Sequence, residues 1–199
     1  MRSFGVLPAA GLSKRMGQPK LLMPWGTTTV IQHVVATWQA SQVDAVVVVA
    51  RADDETLLGL LNATGAHVVT PPTAPPEMKH SVQYGLEYVQ QKFTPTASDR
   101  WLLSPADTPT ISIAHINTSL ASSHEDPQSR ILIPVYNGRR GHPVVFPWTM
   151  AKEVFELADD EGVNAIVHRH EVKECPISDG GVLEDMDTPE QYRRLRGRS

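Results

Sequence analysis

The sequence predicts an α/β fold of three layers, α/β/α, in which helices cover a mixed, mostly parallel sheet. Short apolar runs alternate along the chain with longer segments of helical periodicity, a pattern typical of a parallel sheet wrapped by helices. The run DAVVVVA, Asp44 to Ala50, is dominated by β-branched residues, which favours a central strand buried on both faces. With 199 residues, of which 41% are hydrophobic, the chain is expected to form one domain, residues 1–199.

The first part of the chain is predicted to alternate strictly between strands and helices. Apolar residues from Val30 to Trp38 recur at the spacing that places them on one face of a helix. Asp53 precedes the next helical segment and is predicted to cap it. The predicted elements are strand Phe4–Ala10, helix Thr28–Ala40, strand Asp44–Ala50, a helix from Asp53 to about Asn62, and strand Ala66–Val69.

The second part contains an antiparallel pair, which makes the predicted sheet mixed. The Asn-Gly pair in NGRRG is a strong turn signal for a hairpin between two apolar runs. The final RGRS is predicted to be a frayed tail. The predicted elements are helix Ser81–Lys92, strand Arg100–Leu103, helix Ile113–Ser122, strands Arg130–Tyr136 and His142–Phe146, helices Thr149–Leu157 and Gly162–Arg169, strand Glu171–Pro176, and helix Thr188–Leu195.

Composition argues against several classes of protein. The net charge of -4 shows none of the basic excess of a general nucleic-acid binder, so no nucleic-acid partner is expected. No apolar run approaches the roughly 20 residues that span a bilayer, and the N-terminus lacks the pattern of a secretory signal. The single cysteine, Cys175, cannot form an internal disulfide. A cytoplasmic protein without membrane contact is expected.

The stretch LPAAGLSKRMGQPK, Leu7 to Lys20, has the residue types of a polyphosphate site. It follows the first predicted strand, and ligands of open α/β sheets bind beyond the carboxyl ends of the strands. The small residues Ala9, Ala10 and Gly11 let backbone N–H groups approach phosphate oxygens, which Arg15 and Lys20 can neutralise. The spacing fits neither a Walker loop nor a dinucleotide fingerprint. The alternative is a surface turn whose cations are simply solvated.

The same stretch resembles the signature A-A-G-x-S-x-R-M-G-x-x-K of the MobA-like nucleotidyltransferases, especially the molybdenum cofactor cytidylyltransferases. The resemblance continues at SPADTP, GRRGHPVVF and EDMDTPEQY, so it spans nearly the whole chain. It implies a Rossmann-like sheet of the nucleotide-diphospho-sugar transferase type. It also implies a nucleoside triphosphate and a phosphorylated acceptor as substrates, Mg²⁺ as cofactor, and release of pyrophosphate.

The resemblance implies a metal site at two separated aspartates, Asp107 and Asp187. Mg²⁺ is usually held by one or two carboxylates together with phosphates and water, so this pair suffices if the fold brings the two loops together. Arg15, Lys20 and Asp107 are then the expected catalytic residues, because phosphoryl transfer depends on positioning and charge stabilisation. The alternatives are a turn or cap aspartate at 107 and a cap at 187 for the helix near Thr188.

Nucleotide contacts are expected from the first loop and from the segment MKHSVQYG. In the first loop they involve Leu7, Ala9, Ala10, Gly11, Ser13, Arg15 and Lys20. In the second segment the resemblance implies contacts from His80, Ser81 and Gly85, although Ser81 could instead be a helix N-cap. The Ala9-Ala10 pair resembles the cytidylyl form of the signature, which favours CTP over GTP.

Acceptor binding is expected at RRGHP, from Arg140, Gly141 and His142, where cations and an imidazole suit an anionic molecule. The alternative is a type I′ hairpin with solvated arginines and a histidine held by packing. Three departures from the family pattern loosen the acceptor assignment: Pro8, the form SPADTP, and Asn164 where cytidylyltransferases often carry arginine.

The leading hypothesis is an enzyme that transfers CMP from CTP to molybdopterin cofactor, with a molybdenum hydroxylase apoenzyme as a further partner. One alternative is the same chemistry on a sugar phosphate or another small phosphorylated alcohol. A second alternative is a non-catalytic nucleotide-binding protein that delivers cofactor.

Overall fold

A computed structural model describes residues 1–197 and shows strands that alternate with helices as predicted. The strands are β1 (Ser3–Pro8), β2 (Pro24–Trp25), β3 (Thr28–Thr29), β4 (Ala45–Val49), β5 (His67–Val69), β6 (Arg100–Leu103), β7 (Ile131–Tyr136), β8 (Arg139–Arg140), β9 (Val144–Pro147) and β10 (Val172–Pro176). The α-helices are α1 (Val30–Gln39), α2 (Glu55–Asn62), α3 (Met78–Phe93), α4 (Ile113–His124), α5 (Asn164–Arg169) and α6 (Pro189–Arg196). Short 3-10 helices span Lys20–Leu22, Trp148–Glu156 and Gly180–Leu183.

The sheet is mixed and mostly parallel, as the sequence predicted. Within residues 1–197 its order is β10-β7-β9-β6-β1-β4-β5, with β8 paired to β7 beyond this path. Strand β9 runs antiparallel to both β6 and β7, whereas β1, β4, β5 and β6 pair in parallel, as do β7 and β10. The carboxyl ends of β1, β6, β7 and β10 therefore lie at the same edge of the sheet.

Two hydrophobic clusters, one on each face of the sheet, form the three layers. Val46 and Val48 of β4 belong to the cluster under α1, α2, α4 and α6. Val47 belongs to the cluster under α3, α5 and the 3-10 helix Trp148–Glu156. All three valines are buried, so β4 has no polar face. The run of valines thus reflects burial on both sides, because successive side chains of a strand point to opposite faces.

Two helix starts differ from the prediction. The cap of α2 is Asp54, whose carboxylate accepts the N–H of Leu57, while Asp53 pairs with Arg51. Helix α3 begins at Met78 and not at Ser81, and its N-cap, Glu77, forms no side-chain capping bond. Ser81 is therefore buried inside the first turn, and its proposed role as an N-cap is wrong.

The remaining differences lie at the ends of elements. Strand β1 ends at Pro8, two residues earlier than predicted, and the segment predicted as helix Thr149–Leu157 is a 3-10 helix. Of the predicted tail RGRS, Arg196 ends α6 and Gly197 follows it as the C-cap, whereas residues 198 and 199 lie outside the described residues. Among residues 1–197, no helix has the length and apolar character needed to cross a membrane.

Helix α3 lies close against the sheet because it carries a glycine at its contact point. A β-carbon on Gly85 would lie 2.7 Å from Cγ1 of Val6 and 3.3 Å from Cγ2 of Val49. Both valines are fully buried strand residues, so neither side chain has room to move away. Gly85 therefore sets the distance between α3 and strands β1 and β4.

We expect Gly85→Ala to lower the free energy of unfolding by about 1–2 kcal/mol, since overpacking outweighs the better helix propensity of alanine. The matched control is Gly59→Ala in α2, where a β-carbon would meet nothing within 4 Å. That control should raise stability by up to about 1 kcal/mol. Urea denaturation of both variants measures the difference. A Gly85→Ala protein as stable as the control would contradict the packing role.

Candidate active site

A cleft of about 370 Å³ opens at the carboxyl ends of β1 and β6, in the place that the sequence predicted for a ligand. Six of the predicted site residues line it: Ala9, Ala10, Gly11, Lys20, Ser81 and Asp107. The other lining residues are Pro8, Leu12, Lys14, Leu21, Pro75, Pro76, Glu77, Met78, Pro105 and Ala106.

The loop after β1 is held in shape by Ser13. Its backbone has φ of 51°, and its carbonyl accepts the N–H groups of Met16 and Gly17 at 3.0 and 3.2 Å. Its hydroxyl accepts the N–H of Lys20 at 3.2 Å. Met16 is buried in the core and anchors the middle of the loop. The structure thus places Ser13 where it organises the loop and positions the backbone of Lys20.

Lys20 joins the two aspartates that the resemblance singled out. Its Nζ donates to Oδ2 of Asp107 in a very short contact and to Oδ1 of Asp187 at 2.8 Å. Nη2 of Arg15 bonds the other oxygen of Asp187 at 2.6 Å. Residues far apart in the sequence therefore form one cluster of two cations and two carboxylates.

Lys20 is charged within this cluster. Burial alone would lower the pKa of its ammonium group, but attraction to Asp107 and hydrogen bonds to Asp107 and Asp187 outweigh burial and raise the pKa above its ordinary value. The cluster is therefore a set of full charges that compensate one another.

Neither aspartate acts as a helix cap. The N-cap of α6 is Thr188, whose hydroxyl accepts the N–H of Gln191, and the N-cap of α4 is Ser112. The capping alternatives considered for Asp107 and Asp187 are therefore wrong.

The donor set at the aspartates fits a divalent metal ion. Oδ1 of Asp107 is buried and has no hydrogen-bond partner within residues 1–197, and a buried carboxylate oxygen is costly to leave unpaired. The same part of the chain has no group of three or more His, Cys, Asp or Glu side chains that could hold a metal. Asp107 and Asp187 are thus a pair of carboxylates of the kind that Mg²⁺ accepts when phosphates and water complete its coordination.

Several contacts hold the segment that carries Asp187. The N–H of Met186 donates to the carbonyl of Asp107 at 3.1 Å, and the hydroxyl of Thr110 donates to the carbonyl of Gly181 at 2.8 Å. The carbonyl of Val182 accepts the N–H of His142 at 2.8 Å. These bonds fix the aspartates side by side before any ligand binds.

The predicted acceptor residues have the geometry of the packed-hairpin alternative. Asn137 and Gly138 have φ of 49° and 72°, the two positive values of a type I′ turn. Arg140 is exposed and pairs with Glu174 at 3.1 Å. Gly141 is buried, and a β-carbon there would overlap with the carbonyl oxygen of Val182.

His142 offers no positive charge to an anionic acceptor near neutral pH. Burial lowers the pKa of its imidazole and outweighs the opposing influence of the Leu103 carbonyl and of the charges on Asp107 and Asp185. Contact of Arg140, Gly141 and His142 with an acceptor stays a prediction.

Five of the predicted nucleotide residues do not line the cleft: Leu7, Ser13, Arg15, His80 and Gly85. Leu7 is fully buried in the core, and Gly85 packs against Val6 and Val49. Gly85 resembles a binding residue in the sequence because it follows Ser81 by one helical turn, but its physical constraint is helix-to-sheet distance.

An apolar wall, not predicted from the sequence, lies around the mouth of the cleft. Leu12 and Met78 are 62% and 51% exposed, which is unusual for large apolar side chains, and Pro75 and Pro76 lie beside them. The signal for this wall was the proline-rich stretch TPPTAPPEMKH, which follows a parallel strand and therefore had to begin at the ligand-binding edge.

The chain is similar to known proteins over most of its length. Residues 5–174 match the model of the MobA-like NTP transferase domain. The chain is 29% identical to the purine catabolism protein PucB of Bacillus subtilis, over 97% of this chain and 95% of that protein. It is 21% identical to the molybdenum cofactor cytidylyltransferase of Escherichia coli, over 94% of this chain and 92% of that protein.

A solved structure is similar over the whole length. It is Rv0371c of Mycobacterium tuberculosis in complex with manganese, with 27% identity, a TM-score of 0.80, and coverage of 100% of both chains. Because the family model covers most of the sequence, the chain belongs to the MobA-like NTP transferase family, and it is a nucleotidyltransferase.

Proposed function

We propose that the chain transfers CMP from CTP to molybdopterin cofactor and releases pyrophosphate. The observation that carries the proposal is the cluster of Lys20, Arg15, Asp107 and Asp187 beside a cleft lined by Ala9 to Gly11. A loop of small residues, two cationic side chains and a carboxylate pair lie together there. This combination supports nucleotidyl transfer, which requires phosphate binding, positive charge and a metal ion. Similarity to a molybdenum cofactor cytidylyltransferase over almost the whole chain supports the acceptor.

The proposed nucleotide lies with its triphosphate over the loop after β1. The N–H groups of this loop and the ammonium of Lys20 hold the phosphate oxygens. The base packs against Leu12 and Met78, whose exposed apolar surface is then removed from water. Ser81, buried at the floor of the cleft, offers a hydroxyl to the nucleoside.

Asp107 and Asp187 would hold the proposed Mg²⁺, with Oδ1 of Asp107 gaining the partner that it lacks. When bound, Mg²⁺ supplies positive charge that stabilises the phosphoryl and pyrophosphate oxygens. The contribution of the chain is to fix both carboxylates through the bond from Met186 to Asp107 and to bring Lys20 and Arg15 to the departing phosphates.

The proposed reaction is an in-line displacement at the α-phosphorus. A terminal phosphate oxygen of the acceptor forms the new P–O bond, and the bond between the α-phosphorus and the bridging oxygen to the β-phosphate breaks. The electron pair leaves with pyrophosphate. A phosphate monoester is already anionic near neutral pH, so the reaction needs no general base from the chain.

A sugar phosphate or another small phosphorylated alcohol is the second candidate acceptor. The observation that favours it is the ion pair between Arg140 and Glu174, together with the packing of Gly141 and His142. Because Arg140 is paired and His142 is uncharged, these residues offer little unpaired positive charge, whereas a highly anionic pterin would need more of it. The third possibility is a non-catalytic delivery protein. Such a protein would not need a pair of carboxylates next to the phosphate loop.

We expect pyrophosphate release when the protein is given CTP, Mg²⁺ and molybdopterin, and slower release when GTP or UTP replaces CTP. A coupled pyrophosphate assay with each nucleotide and with a panel of sugar phosphates tests this. Turnover with a sugar phosphate and none with molybdopterin would move the assignment to the second candidate. Nucleotide binding without turnover on any acceptor would favour the delivery protein.

Asp107→Asn should lower turnover at least about 100-fold, because the buried site loses a charge that the metal requires. The fold should persist, since Lys20 keeps its bond to Asp187. The control is Asp53→Asn, which removes an exposed carboxylate outside the lining of the cleft and should retain normal turnover. Circular dichroism and the same pyrophosphate assay compare the two. Near-normal Mg²⁺-dependent activity of Asp107→Asn would refute its metal role.

Met78→Ala should raise the KM for CTP about three- to tenfold with little change in kcat, since the base loses apolar contact that it makes before and during reaction. Phe155→Ala is the matched control, because Phe155 is equally exposed but lies outside the cleft. Steady-state kinetics distinguish them. Equal KM values for the two variants would show that the base binds elsewhere.

A further inference from the structure

The ammonium of Lys20 lies in the space between the two carboxylates to which the proposed function assigns a metal ion. Nζ is 2.8 Å from Oδ1 of Asp187 and closer still to Oδ2 of Asp107. The three side chains are only 15%, 11% and 18% exposed for Lys20, Asp107 and Asp187. Charges so far withdrawn from water interact strongly and are costly to leave unpaired.

Lys20 and a metal ion exclude one another at this place. A Mg²⁺ ion held by both carboxylates would lie about 2.0–2.1 Å from its ligand oxygens. Even with Oδ1 of Asp107 as one ligand, it would be close enough to the ammonium on Oδ2 to repel it strongly. The same ammonium is needed at the phosphates of the nucleotide. Lys20 therefore has two alternative sets of anionic partners, the two aspartates and the nucleotide phosphates. When a metal ion is bound, only the phosphates are available to it.

We propose that Lys20 is a latch that makes metal binding at Asp107 and Asp187 conditional on the nucleotide. This inference rests on the proposed function and adds a role of Lys20 in the coupling between the two ligands. When the nucleotide binds, Lys20 passes from Asp107 and Asp187 to the phosphates, and both carboxylates can then hold a metal ion.

The energies of the partial states explain the coupling. If Lys20 leaves without a nucleotide, it gives up both ion pairs, and two carboxylates that are only 11% and 18% exposed lose its compensating charge. A metal ion alone would have two carboxylates as ligands, because residues 1–197 offer no group of three suitable side chains. A nucleotide without metal would bring its negative charges toward both aspartates. Each of these penalties disappears when metal and nucleotide bind together.

The exchange requires only side-chain motion. The backbone of Lys20 is held by the bond from its N–H to Ser13 and by the 3-10 helix Lys20–Leu22, with Leu21 buried. The carboxylates are held by the bond from Met186 to Asp107. Arg15 is 73% exposed, so its bond to Asp187 is screened by water and contributes less to the latch.

The test measures Mn²⁺ binding by the electron paramagnetic resonance signal of the free ion, without acceptor and therefore without turnover. The wild-type protein should bind Mn²⁺ weakly alone. With CTP present it should bind Mn²⁺ at least about tenfold more tightly, after subtraction of the Mn²⁺ that CTP binds in a sample without protein. Lys20→Met should bind Mn²⁺ alone at least about tenfold more tightly than wild type, since no ammonium then lies between the two carboxylates. Lys20→Gln, which retains a hydrogen-bond donor without charge, provides a second variant and should change in the same direction.

The matched control is Lys14→Met, which removes one positive charge from the same loop, where Lys14 is exposed and makes no ion pair with either aspartate. It should bind Mn²⁺ alone as wild type does. Folded Lys20 variants that bind Mn²⁺ no more tightly than Lys14→Met would overturn the latch, as would wild-type protein that binds Mn²⁺ equally well with and without CTP. Failure of the proposed function has a different signature: no pyrophosphate release with CTP on any acceptor, whatever Lys20 does to Mn²⁺ binding.

Discussion

A single backbone hydrogen bond, from the N–H of Met186 to the carbonyl of Asp107, joins the two loops on which the site depends. It connects the loop after β6 to the segment after β10, which come from strands on different sides of β9. Because Asp187 directly follows Met186, the bond brings both carboxylates to one place. The antiparallel insertion of β9 leaves β6 and β7 parallel, so their carboxyl ends, and that of β10, remain at the same edge. The mixed topology is therefore compatible with a site that resembles those of wholly parallel sheets.

The charges of the site balance locally, although the chain carries a net charge of -4. Lys20 and Arg15 face Asp107 and Asp187, so four ionised groups share a small, partly buried volume. Such a cluster is stable only because each carboxylate has a cationic neighbour. The same balance makes it sensitive to ligands, because any anion or cation that enters competes with a partner already present. Stability of the ligand-free protein and binding of its substrates thus depend on the same ion pairs.

The sequence predicted the layer order, the mixed sheet and the loop at the end of β1, since all three follow from local periodicity and from the position of small residues. It predicted Asp107 and Asp187 as a pair only through family resemblance, because nothing local shows that positions so far apart meet. The ion pairs of Lys20 could not be anticipated, since they depend on the tertiary contact at Met186. Gly85 was interpreted from the resemblance as a nucleotide contact, and that contact stays a prediction. The structure adds a packing requirement against Val6 that the sequence alone does not show. Ser81 was placed correctly at the cleft but in the wrong position of its helix.

Because Gly141 lies so close to Val182, the hairpin tolerates substitution at its exposed positions but not at Gly141. A side chain at 141 would push the segment after β10 away from Asp107 and disturb the carboxylate pair. Arg139 and Arg140 are exposed on the same hairpin, and Arg140 pairs with the exposed Glu174, so neither side chain is held by the core. For the proposed acceptor contact at this hairpin, directed-evolution libraries should therefore vary those two arginines and leave the neighbouring glycine untouched.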